Sequence, residues 1–341
     1  MEENVVKNWE GIVEVLPGIY RIPVPLPGNP LKELNSYLIR GEENHNLLID
    51  TGFRLEACRE ALMGGMKSLG ISMENTDILL THLHVDHTGL APDLICPGNR
   101  VYIGEADRWF MNDVDTVHIQ RVKRLQKHGI SQALIEEMLA CTPSRTMAAD
   151  TSFHGYTCLH EGDVINAGRY VLKAIAVPGH TPGQMCFEIA GTGAMILADH
   201  VLFDITPNIT DWKDLPDALG SYLESLDKID KYDVTIPLPG HRKPGDFHGR
   251  VRTIKEHHRR RLNECRQVIR GLGKARLYDI AGNMTWKIRA ADWDDFPPAQ
   301  RWFALGECLA HLDYLKKRGL ILEKEADDET LWYEVTQEKM L

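Results

Sequence analysis

The chain has 341 residues, of which 43% are hydrophobic and 26% are charged, and its formal net charge is −10. This composition is typical of a soluble globular protein, and the length suits one large domain plus a smaller one. The negative charge disfavours tight non-specific binding of nucleic acid, and no apolar run is long enough to cross a bilayer. The acidic start also lacks the apolar core of a secretory signal, so we expect a cytoplasmic protein without a membrane segment.

The first part of the chain is predicted to form strands followed by a helix. "GIYRIPVPLPG" alternates apolar and polar residues, and "NSYLIRGEENHNLLIDTG" is typical of a hairpin. "LEACREALMGGMKSLG" has apolar residues at helical spacing and ends at a glycine. The short apolar strand "TDILL" then leads directly into "THLHVDHTG" at 81–89. This histidine-rich stretch is therefore predicted to lie on a loop after a strand, a common location for catalytic groups.

A helical pattern over 105–147 interrupts the strand-rich sequence. Its large apolar residues are predicted to pack between the helices or, alternatively, to line a substrate pocket. These residues are Trp109, Phe110, Met111 and Met138. Strands resume in "YVLKAIAVPGHTPGQMCFEIAGTGAMILADHVLF", and a helix and the strand "DVTIPLPGH" complete the main unit near residue 245.

The sequence beyond residue 250 is predicted to form a second, mostly helical domain. "RVRTIKEHHRRR" at 250–261 is a basic stretch on a helix, which is either a solvated face or a surface for an anionic ligand. The final "ILEKEADDETLWYEVT" is typical of a hairpin that turns at "ADDE". Helices followed by a small hairpin suggest a winged-helix-like domain. We therefore predict a catalytic domain over 1–249, which contains the helical insertion, and a C-terminal domain over 250–341.

The seven cysteines do not form a recognisable site. They are odd in number, widely spaced and without a CxxC pair. This argues against a disulfide framework or a thiolate zinc site, and none of them is predicted to be a nucleophile.

Three further ligand-type residues follow apolar segments in the same way as the opening loop. His180 lies in "AVPGHTPG", Asp199 in "AMILADH" and His241 in "VTIPLPGH". Because strands of one sheet bring their ends together, these loops are expected to converge with the histidine-rich loop. The combined donors are His82, His84, Asp86, His87, His180, Asp199 and His241. These nitrogen and oxygen donors suit zinc, iron, manganese or cobalt, and seven are enough for two ions that share a bridging carboxylate.

The motif HxHxDH, followed in order by His, Asp and His, resembles the metallo-β-lactamase-fold hydrolases over about residues 10–250. The surrounding sequence is similar to the branch with glyoxalase II-type thioesterases, lactonases and lactamase-β-like proteins. The resemblance implies an α/β (α+β) fold: a four-layer αββα sandwich with the metals at one edge. The residue before Asp199 departs from the family pattern, since Ala198 stands where glycine is usual.

The resemblance also assigns a role to each ligand. It implies that one metal is held by three histidines, namely His82, His84 and His180. It implies that the second metal is held by Asp86, His87 and His241, with Asp199 bridging the two. Asp50 in "LLIDTG" matches the family's first motif, where an aspartate supports the metal-binding loop from behind the ligands.

These assignments predict a dinuclear metal hydrolase that cleaves an ester-type bond in a small molecule, such as a thioester or a lactone. A water that bridges two cations loses a proton near neutral pH and becomes the nucleophile, and Asp86 would orient it as a catalytic residue. The expected cofactors are two divalent ions, zinc first, with iron or manganese as alternatives. Arg242 and Lys243 follow His241 and either contact an anionic substrate or lie on a solvated loop; Trp109 and Phe110 are weaker substrate-binding candidates.

Other functions on the same scaffold remain open at this point. The C-terminal sequence "FPPAQRWFALGECLAHLDYLKKRGLI" resembles the extension of lactamase-β-like proteins, some of which cut single-stranded RNA. Acidic net charge and the lack of an aromatic–basic platform count against a nuclease. Persulfide dioxygenases keep a similar motif but use one iron, whereas flavodiiron proteins carry Glu at the position of His84 and add a flavodoxin domain. A non-catalytic binding protein would be expected to have lost ligands. The C-terminal domain is also a possible homodimer contact.

Overall fold

The computed structural model describes residues 9–41, 45–141, 147–288 and 290–336, with the backbone alone for 114–118. The strands are β1 (Val13–Leu16), β2 (Ile19–Pro25), β3 (Glu33–Ile39), β4 (Asn46–Ile49), β5 (Thr76–Leu79), β6 (Val101–Gly104), β7 (Tyr156–Leu159), β8 (Val164–Ala167), β9 (Tyr170–Ala176), β10 (Met185–Ile189), β11 (Ala194–Ala198), β12 (Ile236–Pro239), β13 (Ile321–Glu325) and β14 (Leu331–Val335).

The helices are α1 (Glu56–Ser68), α2 (Val85–Thr88), α3 (Ala91–Leu94), α4 (Glu105–Asn112), α5 (Val114–Lys127), α6 (Gln132–Ala140), α7 (Ala218–Ile229), α8 (Phe247–Leu272), α9 (Leu277–Asn283) and α10 (Pro298–Lys317). A short 3-10 helix spans Met73–Asn75. None of the helices in the described ranges has the length and apolar character needed to span a bilayer.

The first sheet has seven strands in the order β1-β2-β3-β4-β5-β6-β7. Strands β1 to β4 are antiparallel neighbours, and β4 to β7 are parallel. The predicted hairpin is present as the β3–β4 pair, with Tyr37 opposite Ile49. All four residues of β4 and of β5 are buried, which agrees with coverage on both faces of the sheet.

The second sheet has five strands in the order β12-β11-β10-β9-β8. Strand β10 is antiparallel to both β9 and β11, and β12 is parallel to β11. It follows that β9, β11 and β12 run in the same direction. The loops that leave their carboxyl ends therefore emerge at the same edge of this sheet.

The two sheets share one hydrophobic core. It contains Tyr37 and Ile49 from the first sheet and Leu172, Phe187 and Ile196 from the second, all with at most 1% exposure. Full burial of each such side chain contributes about 1.5–3 kcal/mol to the stability of the sandwich.

A second core lies on the opposite face of the first sheet, where Leu62 of α1 packs with Leu48 and Ile78. The fold is an α/β sandwich with two mixed sheets, as the sequence predicts.

The chain divides into two compact units, each built from three segments. Unit 1 comprises the described residues of Met1–Asp113, Pro143–Pro207 and Ser225–Val251. Unit 2 comprises those of Val114–Thr142, Asn208–Glu224 and Arg252–Leu341. Both large sheets lie in unit 1. Helices α5 and α6, which the sequence predicts as an insertion in the catalytic domain, group instead with the C-terminal segment.

Unit 2 contains the predicted C-terminal hairpin. Strands β13 and β14 are antiparallel, with Ile321 opposite Val335 and Glu325 opposite Leu331, so the turn falls at "ADDE". Tyr333 of this hairpin is fully buried and its hydroxyl donates to Glu323 at 3.0 Å. The winged-helix-like arrangement stays a prediction.

Candidate metal centre

The ligand-type side chains of unit 1 follow the ends of its strands. Asp50 directly follows β4, His82 lies in the loop after β5, and His180 lies in the loop after β9. Asp199 and His241 lie just after β11 and β12, which are parallel neighbours. The direction of the strands therefore delivers all of these loops to one region, as the sequence predicts.

The opening motif changes its backbone conformation at its centre. His84 is extended, with φ −62° and ψ 144°, and the one-turn helix α2 begins at the next residue. Asp86 and His87 lie on this helical turn, where consecutive side chains diverge by about 100°. This change of conformation allows one short loop to present its side chains in two groups.

Among the described residues, His, Asp, Cys and Glu side chains form three groups in which the possible ligand atoms all lie within 4.8 Å of one another. The groups are His82, His84 and His180; Asp86, His87 and His241; and His82, His87 and Asp199. The first two groups have the same members as the two metal sites that the sequence predicts.

Asp199 lies between the two predicted metal sites. Its Oδ1 is 3.5 Å from His87 Nε2 and 3.4 Å from His241 Nε2, and its Oδ2 is 3.8 Å from His180 Nε2. Asp86 Oδ2 is 3.3 Å from His241 Nε2. The Asp199 carboxylate is thus placed where it could bridge two ions.

The donor set fits bound divalent cations. Nε2 of His87, Nε2 of His241 and Oδ1 of Asp199 are buried and form no hydrogen bond among the described residues. Nε2 of His82 lies only 3.1 Å from Nδ1 of His84, so these two ring nitrogens are close enough to bind the same ion. A buried polar atom without a hydrogen bond is costly, and bound metal ions would compensate for this cost at Nε2 of His87, Nε2 of His241 and Oδ1 of Asp199. The combination of imidazole and carboxylate suits zinc, iron or manganese.

The protonation states also suit metal binding. Burial, followed by the neighbouring histidines, lowers the pKa of His84 to about 3 and lowers that of His82, so both rings are neutral near pH 7. Burial also lowers the pKa of His241, but Asp199 and Asp86 outweigh it and raise the pKa to about 10. In the metal-free protein, the proton on His241 therefore partly neutralises the carboxylates, a role that a bound cation would take over.

Two acceptors behind the ligands set the orientation of the rings. Asp50 Oδ2 accepts a hydrogen bond from Nδ1 of His87 at 2.7 Å, and the carbonyl oxygen of Glu33 accepts one from Nδ1 of His241 at 2.8 Å. Asp50 also accepts from Thr81, from N at 2.9 Å and from Oγ1 at 2.8 Å. These bonds leave Nε2 of each ring directed at the centre, an arrangement common behind histidine ligands.

Polar residues of β3 hold the His241 loop, and the sequence analysis did not identify them. Asn35 Nδ2 donates to the carbonyls of Pro239 at 2.9 Å and Arg242 at 2.8 Å. The hydroxyl of Tyr37 donates to the same Pro239 carbonyl at 2.8 Å. The only signal in the sequence is that "ELNSYLI" places polar side chains in a strand whose residues after the first are buried.

Three residues beside the ligands adopt the left-handed backbone region. These are Asp50 with φ 59°, Ala198 with φ 46° and Arg242 with φ 65°. Residues other than glycine are strained in this region, and such backbone strain is often concentrated at functional sites. The conformation of Ala198 gives a physical reason why glycine is usual at this position in the family that the sequence resembles.

We expect Ala198→Gly to increase the free energy of unfolding by about 0.5–1 kcal/mol, because it relieves the left-handed strain at a modest entropic cost. The measurement is urea denaturation in the presence of a chelator, so that metal binding does not contribute. Ala194→Gly in the same strand is the matched control and should destabilise by about 0.5–1 kcal/mol. Equal destabilisation by the two variants would contradict the strain at Ala198.

The predicted substrate-binding residues have mixed positions. Arg242 is half-buried, and its Nη2 donates to the carbonyl of Pro30 at 2.8 Å, whereas Lys243 is exposed. On α4, Trp109 is 65% exposed and Phe110 is half-buried. Substrate contact by these four residues stays a prediction.

The two methionines of the helical segment are buried. Met111 packs in the core on the outer face of the first sheet, which favours the packing interpretation for this residue. Met138 is fully buried and lies in unit 2.

Two mixed sheets packed face to face, with clustered histidines and aspartates at the strand ends, are typical of metal-dependent hydrolases. Residues 32–241 match the family model of the metallo-beta-lactamase superfamily, and the chain belongs to this family. It is an enzyme of the hydrolase type with a candidate dinuclear centre of histidine and aspartate.

The chain is similar to several proteins in sequence and in structure. A metallo-beta-lactamase family protein from Thermus thermophilus is 27% identical, with a TM-score of 0.79 over 95% of this chain and 100% of that chain. The lactamase-like protein nscB of Aspergillus fumigatus is 27% identical over 223 residues, which are 63% of this chain and 51% of that protein. The chain therefore spans about half the length of nscB. The atrochrysone carboxyl ACP thioesterase of Claviceps purpurea is 25% identical over 267 residues, 78% of this chain and 68% of that protein.

Proposed function

We propose that the enzyme hydrolyses a thioester with the help of two divalent metal ions, zinc first and iron or manganese as alternatives. The observation that carries the proposal is the position of Asp199 between the two predicted metal sites, within 3.4–3.8 Å of three histidines. The similarity to an acyl-carrier thioesterase favours a thioester over a lactone or another ester-type bond. The proposed substrate is an acyl group in thioester linkage to a carrier or a small thiol.

Two bound ions would supply an activated water and an electrophile for the substrate carbonyl. Burial raises the pKa of Asp86, but His87 and His241 outweigh it and lower the pKa to about 2. Asp86 therefore stays ionised at neutral pH and can accept a hydrogen bond from the attacking water, which orients it towards the carbonyl carbon. The Asp50 carboxylate accepts a hydrogen bond from Nδ1 of His87, and the Glu33 carbonyl accepts one from Nδ1 of His241. Each bond keeps a proton on Nδ1 and so directs Nε2 of that ring towards the metal site.

The chemistry of the leaving group agrees with this site. Thiols have a pKa near 8.5, so a thiolate can depart without full protonation by a strong acid. The protein therefore needs no strong acid for the leaving group. It has to position the metal ligands, orient the water and bind the acyl group.

The test is a substrate panel with the metal-loaded protein: acyl thioesters, lactones, β-lactams, phosphodiesters and single-stranded RNA. We expect kcat/KM for the best thioester to exceed that for every other class by at least about tenfold. The matched control is the same protein after chelation. Faster cleavage of phosphodiesters or RNA would replace this proposal by the nuclease. A single bound iron with oxidation of a persulfide would replace it by the dioxygenase.

We also propose a cytoplasmic location and a winged-helix-like C-terminal domain that contributes to a homodimer. The succession of α9, α10 and the β13–β14 hairpin supports the domain type. Light scattering of the purified chain tests the dimer, and a monomer at all concentrations would contradict it.

A further inference from the structure

Asp107 is a fully buried carboxylate in the first turn of α4, and no motif in the sequence points to it. It accepts three hydrogen bonds. Its Oδ2 accepts from Leu83 N at 2.9 Å and from Thr181 Oγ1 at 2.6 Å, and its Oδ1 accepts from Gly183 N at 2.6 Å. All of these residues belong to unit 1.

The three donors come from two loops that carry predicted ligands of the same metal. Leu83 lies between His82 and His84, and Thr181 directly follows His180. These three histidines form one of the groups with ligand atoms within 4.8 Å. One side chain therefore connects the two loops that supply this group.

The backbone is packed closely at the same place. A Cβ atom added to Gly183 would lie 2.3 Å from the backbone nitrogen of Asp107, and one added to Gly104 would lie 2.0 Å from the carbonyl oxygen of Gly183. Both contacts are impossible for any side chain, so glycine is required at both positions. The start of α4 and the His180 loop are thus in close backbone contact.

Maintaining a carboxylate here is energetically costly. Burial raises the pKa of Asp107 to about 7, although the hydrogen bonds from Thr181, Gly183 and Leu83 lower it. A buried charge is tolerated when it makes several hydrogen bonds or lies near opposite charge. Both conditions would hold here once a cation is bound by the adjacent histidines.

We propose that Asp107 is a positioning residue that preorganises His82, His84 and His180 as the binding site of one of the two metal ions. In the described part of the chain, the second group, Asp86, His87 and His241, makes no hydrogen bond to Asp107; Nδ1 of His87 donates to Asp50 and Nδ1 of His241 donates to the Glu33 carbonyl. Loss of Asp107 should therefore weaken the binding of one ion and leave the binding of the other unchanged. The inference rests on the proposed metal-dependent function, but its test measures metal binding without substrate.

The experiment compares the full-length wild type with Asp107→Asn in titrations with Co²⁺ and Zn²⁺ against a competing chelator. Asparagine keeps the size of the side chain but replaces one accepting oxygen by an NH₂ group, which faces a donor. We expect the affinity for one ion to fall about tenfold, as for other residues behind metal ligands, and the affinity for the other to stay unchanged. In the visible spectrum of the Co²⁺ protein, only the absorption of the more weakly bound ion should change.

Asp77→Asn is the matched control, since Asp77 is 6% exposed and accepts from Arg100 N at 2.8 Å in the same unit. It should leave both affinities unchanged. In a His84→Ala background, which lacks one ligand of the affected group, Asp107→Asn should have no further effect on the remaining ion. Equal weakening of both ions, or no weakening, would overturn the proposal.

A second pair of variants decides the matter if Asp107→Asn fails to fold. Thr181→Val removes one of the hydrogen bonds to Asp107, and Thr181→Ser keeps it. The proposal requires weaker binding of one ion in the valine variant and wild-type binding in the serine variant. Identical binding in the two variants would contradict it. Intact binding of two ions without thioester hydrolysis in the wild type would refute the proposed function and leave this inference standing.

Discussion

Alanine in place of His84 will lower kcat/KM for the best thioester substrate by about a thousandfold or more. His84 belongs to the group of three histidines, and its low pKa of about 3 keeps the ring available as a ligand. Stabilisation of the reacting oxygen by a metal ion contributes several kcal/mol, and about 4 kcal/mol corresponds to a thousandfold in rate. Loss of one ion should remove most of that stabilisation.

The measurement combines steady-state kinetics with elemental analysis of the metal content, which should fall from two ions per chain towards one. His45→Ala is the matched control, because His45 is a 60% exposed side chain in the same unit that pairs with Asp77. It should retain wild-type kcat/KM. Wild-type activity in His84→Ala would refute the dinuclear mechanism.

Asparagine in place of Asp50 will weaken metal binding by about a hundredfold, the upper end of the range for residues that support metal ligands. The effect should be large because Oδ2 of Asp50 accepts hydrogen bonds from both His87 and Thr81. Thr81 Oγ1 is in turn 3.1 Å from Nδ1 of His82. An amide nitrogen at the Oδ2 position could accept neither bond, so ligands of both groups would lose their orientation.

Competition with a metallochromic chelator measures this loss directly. Unlike Asp107→Asn, the Asp50 variant should lose affinity for both ions, because His82 and His87 belong to the two different predicted metal sites. The Asp77→Asn protein again controls for removal of a buried carboxylate. Wild-type affinity in Asp50→Asn would show that the contact with His87 is not needed to orient the ring.

The local spacing of ligand-type residues was sufficient to predict the family and the sandwich. HxHxDH and the later His180, Asp199 and His241 each follow an apolar segment, and strand direction then brings their loops together. The hairpins at β3–β4 and β13–β14 were predictable for the same reason, since alternation and turn residues are local properties. The strain at Ala198 was signalled by a single departure from the family pattern, but its cause needed the backbone angles.

Contacts between distant segments were not predictable. Asp107 lies in the unremarkable sequence "EADRWF", and its partners Leu83 and Thr181 are 24 and 74 residues away. Asn35 reaches Pro239 across 204 residues. Residues 114–142 adjoin the catalytic segments in sequence but belong to the unit of the C-terminal segment.

The sequence by itself determined the family, part of the strands of the sandwich and which side chains could bind metal, because periodicity and ligand spacing act over short stretches of chain. The short strands β6, β7 and β8 were not predicted. The family motif predicted Asp50 behind the ligands, but only the tertiary structure identified Asp107 and Asn35 and the partners of all three residues. The hydrogen bonds that Asp107, Asp50 and Asn35 make depend on where the fold places segments that are far apart in sequence. That placement follows from packing of the whole sandwich, and no local pattern encodes it.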